Sequence, residues 1–168
     1  MKKIAVIYSY NTQKTANVAK EIVKTFDSGR IEEINAEEIN GEIFTKYDYL
    51  VLGIPTWFDG ELPNYWDEFM PELETLDLSG KKIALFGNGD QKGYPENFVD
   101  AIGLMANIVE ELGAKVVGFT SSDGYKFEKS NALRGNQFVG LAIDFENQSE
   151  LNTPRIKAWV EQLKKEFV

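Results

Sequence analysis

The chain has 168 residues, with 27 Asp and Glu against 18 Lys and Arg, a formal charge of -9 and a pI near 4.6; its length suits a single domain, 1–168, with one core. Such a balance lacks the basic patch that nucleic acid or an anionic membrane surface requires, and leaves basic proteins as attractive partners. With no Cys and no His, disulfides, iron–sulfur clusters, thiol catalysis and histidine-based metal or acid–base chemistry are excluded, so any redox chemistry must come from a bound cofactor.

Met1-Lys2-Lys3 leads into Ile4-Ala5-Val6-Ile7-Tyr8, an apolar run too short for a signal segment or a membrane span and of the length expected for a strand buried on both faces. A cytoplasmic location follows as an expectation. Val18, Ala19, Ile22, Val23 and Phe26 share one helical face, which predicts an amphipathic helix from about Ala16 to Phe26, stopped by Asp27-Ser28-Gly29. Between strand and helix lies Ser9-Tyr10-Asn11-Thr12-Gln13-Lys14-Thr15, seven polar residues without a carboxylate. The first N–H groups of a helix have no intrahelical partners and the helix dipole is positive there, so this turn is a candidate phosphate cradle. Many doubly wound proteins carry a polar, Ser- or Thr-capped turn here that binds nothing, and the loop alone leaves the two readings balanced. It contains no glycine, which excludes the Gly-x-Gly-x-x-Gly fingerprint and the Gly-Lys-Ser/Thr loop, and no acid to hold a magnesium ion.

Arg30 to Asn35 reads as a charged edge strand, and Ala36 to Asp48 as a polar stretch with a helical turn around Ile39, Ile43 and Phe44. Tyr49 to Ile54 is the next buried strand. It leaves through Pro55-Thr56-Trp57-Phe58-Asp59-Gly60-Glu61-Leu62, a loop with two large aromatics that a core has little use for. Pro63 opens a helix carrying Tyr65, Trp66, Phe69, Leu73 and Leu76 at core spacing, and Lys82 to Phe86 is another buried strand. The stretch Gly87-Asn88-Gly89-Asp90-Gln91-Lys92-Gly93-Tyr94-Pro95 follows as a loop whose three glycines admit close approach of a ligand. A long helix from Phe98 to Leu112 stops at Gly113, and Lys115 to Thr120 begins a last strand. After an aperiodic stretch from Ser121 to Gly140 the apolar run resumes at Leu141-Ala142-Ile143-Asp144. Asn152-Thr153-Pro154 is read as the start of a terminal helix that buries Ile156, Trp159, Val160, Leu163 and Phe167.

Strands alternating with helices predict an α/β doubly wound parallel sheet covered on both faces. Ligands of such folds sit beyond the carboxyl ends of the strands, and the loops after the first, third and fourth strands all fall on that edge.

These residues resemble flavodoxins over nearly the whole chain. Ser9 to Thr15 is similar to the family's phosphate loop, Pro55-Thr56-Trp57 with Gly60-Glu61-Leu62 to its first flavin loop, and Gly87-Asn88-Gly89-Asp90-Gln91 with Gly93-Tyr94-Pro95-Glu96-Asn97 to its second. The interruption from Ser121 to Gly140, with Asp123-Gly124-Tyr125 and Phe138-Val139-Gly140-Leu141-Ala142, resembles the insertion of the long-chain subgroup. Tyr10 stands where the family usually has Thr or Ser, Gln13 where it has Gly, and Asp59 is not the commonest residue at its place. A left-handed Gln13 would cost roughly 1 kcal/mol.

The resemblance implies a five-stranded sheet in the order 2-1-3-4-5 with its last strand interrupted, and a noncovalent FMN. Trp57 and Tyr94 would stack on the two flavin faces, backbone groups of Gly87, Asn88, Gly89 and Asp90 with Asn97 would meet the pyrimidine edge, and Thr12 and Thr15 would hold the phosphate. A carbonyl from Phe58-Asp59-Gly60 could accept the N–H gained on one-electron reduction if a peptide turns over, which Gly60 eases and which would take Asp59 toward positive φ. The implied function is low-potential one-electron shuttling by a monomer between redox proteins of the flavodoxin/ferredoxin-NADP reductase and 2-oxoacid oxidoreductase types. They would dock at an acidic flavin edge near Asp59, Glu61, Asp67, Asp90 and Glu96. The competing reading is an FMN-dependent NAD(P)H:quinone or flavin reductase, and a third is a regulatory module with no cofactor.

Overall fold

The computed structural model describes residues 3–26 and 29–168. Met1, Lys2, Asp27 and Ser28 lie outside them, and with the last two most of the helix stop expected at Asp27-Ser28-Gly29.

Strand β1 (Ile4–Tyr8) is followed by helix α1 (Lys14–Phe26) and strand β2 (Ile31–Asn35). A 3-10 turn at Ala36–Glu38 and the short helix α2 (Gly41–Thr45) lead to β3 (Tyr49–Gly53), α3 (Asn64–Leu73), β4 (Lys82–Asn88) and α4 (Asp100–Glu111). Strand β5 (Lys115–Val117) precedes three two-residue strands, β6 (Thr120–Ser121), β7 (Leu133–Arg134) and β8 (Gln137–Phe138), and the chain ends in β9 (Leu141–Ile143) and α5 (Phe145–Glu166).

The sheet runs β2-β1-β3-β4-β5, all parallel, in the order the resemblance implied. Its last position is shared. β5 pairs with the first half of β4, Lys82 opposite Lys115, and β9 with the second half, Phe86 opposite Leu141. The interrupted strand is therefore one strand position filled by two segments, with the insertion folded between them as an antiparallel sheet β6-β8-β7. Gly140 returns the chain so close to β4 that a Cβ would lie 2.1 Å from the Leu85 carbonyl oxygen, which only glycine tolerates.

Period-two alternation divides every central strand between two cores. Ile4, Val6, Tyr8, Val51, Ala84 and Phe86 pack under α1 and α5, whereas Ala5, Ile7, Leu50, Leu52, Ile83 and Leu85 pack under α3 and α4. The buried indoles do not leave their N–H groups orphaned: Trp66 Nε1 donates to the Gly53 carbonyl at 3.3 Å and Trp159 Nε1 to that of Gly118 at 2.8 Å.

Of the boundaries that differ from the sequence reading, three bear on the site edge. Lys14 and Thr15 already belong to α1. Gly87 and Asn88 belong to β4 and not to the loop after it, because β9 supplies them with ladder partners, Ala142 and Ile143. The last helix begins at Phe145, where Asp144 caps it by accepting the Asn147 N–H at 3.0 Å. The helix turns at Gln148 (φ -140, ψ 39), and Pro154 lies inside it instead of opening it.

Candidate functional site

All three singled-out loops emerge on the carboxyl edge of the sheet. The first begins at Ser9, buried, whose Oγ accepts the Asn11 N–H at 3.2 Å, while the Thr12 hydroxyl donates to the Ser9 carbonyl at 2.7 Å. These bonds curl the chain into the first turn of α1, which carries no acid, and Asn17 N–H, bonded to the Gln13 carbonyl at 3.0 Å, is the first donor to turn inward. The Tyr10, Asn11 and Thr12 N–H groups are already bonded to Asn35 Oδ1, Ser9 Oγ and the Ser9 carbonyl, so those of Gln13 to Ala16 form the positive helix terminus, suited to an anion. The side chain of Thr15 is buried and its hydroxyl meets Asn88 Oδ1 at 2.8 Å, joining the first loop to the end of β4. Gln13 is not among the residues with positive φ; of the described non-glycine residues only Phe58 and Val99 are. The departure from glycine at Gln13 therefore costs no left-handed strain.

Tyr10 does not join the others. Its ring packs on Tyr8 at 5.1 Å between centroids and lines a separate cavity with Lys20 and Glu33, and its N–H bonds to Asn35 Oδ1 at 3.2 Å. Asn11 Nδ2 donates to Glu37 at 2.5 Å, and the Lys14 ammonium pairs with Glu146. The side chains of Tyr10, Asn11 and Lys14 are thus turned toward protein partners.

The second and third loops face each other across a cavity of about 340 Å³, lined by Thr56, Trp57, Phe58, Gly89, Asp90, Tyr94 and Asn97. Trp57 and Glu61 close a tight hairpin with mutual backbone bonds of 2.9 and 2.7 Å, and its tip places Phe58 (φ 51) and Gly60 (φ 92) in left-handed conformations, with Asp59 between them on ordinary backbone. The Asp59 carbonyl accepts Asn97 Nδ2 at 3.2 Å, which ties this hairpin to the third loop. Thr56 Oγ1 accepts the Ala101 N–H at 3.0 Å and so caps α4 from another segment, since Val99 at the cap position has no side-chain acceptor. Pro55 and Gly60 are buried. Tyr94 is 61 % exposed and Phe58 72 %, so both present aromatic surface to the outside.

Sequence reasoning missed three supports of this cleft. Tyr65, read only as a core residue of α3, meets Trp57 edge to face at 6.0 Å. Its hydroxyl is buried without a hydrogen-bond partner, and burial pushes its ionisation well above the usual phenol range. Asp100, buried, accepts Asn97 Nδ2 at 3.1 Å and the Asn131 N–H at 2.6 Å; an acid in the first turn of α4 was the available signal. The insertion is the third support. Phe98, immediately past the loop, packs on Tyr125, Phe127 and Phe138 with centroids 5.4 to 5.9 Å away, and the Glu128 and Lys129 N–H groups both bond to the Pro95 carbonyl at 2.8 and 2.9 Å.

Asp90 shows how the third loop is held. Its carboxylate accepts the N–H groups of Gly93 at 2.8 Å and Lys92 at 3.1 Å and the Asn147 amide at 2.8 Å. The Gly93 amide first, then Asn147, keep it below the usual carboxylate range. It is therefore a loop anchor, not one of the outward acidic groups.

A doubly wound open sheet with a helix N-terminus, an aromatic-walled cleft and backbone-rich loops on one edge defines a protein built to hold a flat, phosphate-bearing ligand. A family model described as flavodoxin matches residues 6–159. The flavodoxin of a Nostoc species is 45 % identical over 168 residues, covering 99 % of this chain and 98 % of its own. Flavodoxin 1 of Escherichia coli is 42 % identical over 163 residues, covering 96 % and 93 %. The structure of Fusobacterium nucleatum flavodoxin bound to flavin mononucleotide superposes with a TM-score of 0.93 at 36 % identity, covering 99 % of both chains. The chain belongs to the flavodoxin family, whose members are electron-transfer proteins and not enzymes, and the reductase alternative is not favoured. Among the described residues no helix is long and apolar enough to cross a membrane, and no cluster of acidic side chains could hold a metal ion.

Proposed function

We propose that residues 1–168 form one FMN-binding domain that carries single electrons at low potential between redox proteins. The carrying observation is the cavity of about 340 Å³ between Trp57 and Tyr94, on the same sheet edge as the α1 N-terminus. FMN, when bound, supplies the electron-accepting ring. Its phosphate would sit against the backbone N–H groups and hydroxyls of Ser9 to Thr15, and its ring between Trp57 and Tyr94. Asn97 and the backbone of Gly89 and Asp90 would face the polar edge. The residues fit such a guest: Trp57, Phe58 and Tyr94 line the cavity with aromatic surface, and Thr56, Gly89, Asp90 and Asn97 line it with hydrogen-bonding groups.

A reduced, anionic flavin would be disfavoured by the overall charge of -9, which makes the reduced carrier a strong donor. Asp59, Glu61, Asp67 and Glu96 are exposed around the hairpin and the third loop and would steer basic partners of the ferredoxin-NADP reductase and 2-oxoacid oxidoreductase types. The protein would work as a cytoplasmic monomer. Titration of apoprotein with FMN, followed by quenching of flavin fluorescence, should show one equivalent bound, FAD should not bind, and the holoprotein should not oxidise NADPH unaided. A protein that leaves FMN fluorescence unchanged would overturn the reading.

A further inference from the structure

Asp144, at the end of β9, is 0 % exposed. Its Oδ2 accepts the Gln91 N–H at 3.0 Å, Gln91 Nε2 at 2.8 Å and Asn147 Nδ2 at 2.9 Å, and its Oδ1 accepts the Asn147 N–H at 3.0 Å and Asn147 Nδ2 at 3.1 Å. Capping of α5 explains the bond to the Asn147 N–H. It does not explain the two from Gln91, which cross to the loop between β4 and α4. Nor does it explain the second reach of Asn147 Nδ2, to Asp90 Oδ1 at 2.8 Å. That same Asp90 oxygen gathers the Lys92 and Gly93 N–H groups, and the Asp90 carbonyl accepts the Tyr94 N–H at 2.9 Å. Two arms therefore run from Asp144 to the turn that ends at Tyr94, one through Gln91 and one through Asn147 and Asp90. Gln91 is fastened further by Lys126 N–H on its Oε1 at 2.5 Å and by Gln148 Oε1 on its Nε2 at 3.0 Å.

We propose that Asp144 is a positioning residue for the cleft: it fixes Tyr94 at the cavity wall through Gln91 and Asn147, and so sets the affinity and environment of the bound cofactor without touching it. The inference rests on the FMN reading above. A buried carboxylate compensated by several donors is strongly held, and an amide in its place loses the charge-assisted bonds and either sets its NH2 against the Gln91 or Asn147 backbone N–H or forces a neighbouring side-chain amide to turn over.

The test measures FMN dissociation constants for the wild type, Asp144→Asn, Tyr94→Ala and the double variant, with visible circular dichroism of the bound flavin as the structural readout. Asp144→Asn should weaken FMN about tenfold, the consequence of losing one charge-assisted hydrogen bond, and should alter the flavin circular dichroism. In the Tyr94→Ala background the same change should cost less than about twofold, because the residue it acts through is gone. Asn147→Ala, which keeps the Asp144 carboxylate and severs the Asp90 arm, should shift affinity and spectrum in the same direction, and supplies the test if Asp144→Asn does not fold. Full additivity with Tyr94→Ala, or unchanged FMN affinity and spectrum in both Asp144→Asn and Asn147→Ala, would overturn the inference while FMN binding by the wild type stands. A wild type that binds no FMN would overturn the functional reading and this inference with it.

Discussion

Phe58 carries two unfavourable features at once, a left-handed backbone (φ 51) and an aromatic side chain 72 % exposed. For a bulky residue the first costs about 1–2 kcal/mol, and among the described residues the ring's one aromatic partner is Trp57, edge on at 6.4 Å. Phe58→Gly should therefore stabilise the apoprotein by up to about 1 kcal/mol, after allowing for the greater freedom of glycine in the unfolded chain. Urea unfolding would show it, and a loss of stability would mean that the Trp57 contact outweighs the strain. Tyr94→Ala should weaken FMN by about 1–3 kcal/mol if its ring stacks as aromatics do on bases, and unchanged affinity would reject Tyr94 as a flavin wall. The sequence showed two aromatics in one loop, of which the structure packs Trp57 against the core under α3 and α4 and leaves Phe58 outside it. The sequence could not show where the turn stores its strain, because Phe accepts positive φ less readily than Asp, and the positive φ expected at Asp59 concerned only the peptide turned over on reduction. The choice was made by distant groups, the Asn97 amide on the Asp59 carbonyl and Asp100, whose Oδ2 would lie 2.5 Å from a Cβ at Gly60.

Short continuous apolar runs identified the central strands and periodicity the long helices, because Ile4 to Tyr8 and Tyr49 to Gly53 are buried on both faces and α1 and α4 on one. What it could not see was pairing. Gly87 and Asn88 look like loop residues, yet they are strand because β9 arrives beside them more than fifty residues later. Asp144 looks like the polar end of an apolar run, yet it is both a helix cap and a loop anchor. The first loop shows the same limit. Its Thr12 and Thr15 were legible as hydroxyls, but Thr15 also spans to Asn88 on β4. Thr15→Val should weaken FMN more than riboflavin if its hydroxyl serves the phosphate, and comparing the two ligands by fluorescence titration decides. Equal losses for both would mean that the Thr15–Asn88 bond shapes the cleft in general and that the phosphate relies on backbone N–H groups.

Asp59, Glu61, Asp67 and Glu96 stand exposed on the cleft side of a molecule whose total charge is -9, while Glu72, Glu74 and Glu111 stand exposed where α3 and α4 end at the opposite edge. A basic partner is therefore drawn to the molecule as a whole from a distance and to the acids beside the cleft at short range, and no individual pair has to be strong for this to work. Steering of this kind fades as the screening length falls from about 30 Å at 0.01 M salt to about 3 Å at 1 M. Electron delivery to a basic acceptor of the ferredoxin-NADP reductase type should accordingly slow as ionic strength rises. The triple variant Asp59→Asn, Glu61→Gln, Glu96→Gln should be slower at low salt and less sensitive to it, converging on the wild-type rate at high salt, where field effects are gone and only the aromatic contact of Phe58 and Tyr94 remains. Stopped-flow measurements across that range would check this. A wild-type rate independent of salt, or a triple variant with an unchanged slope, would mean that encounter is governed by the exposed aromatic surface and that the acidic edge serves only to disfavour charge on the reduced cofactor.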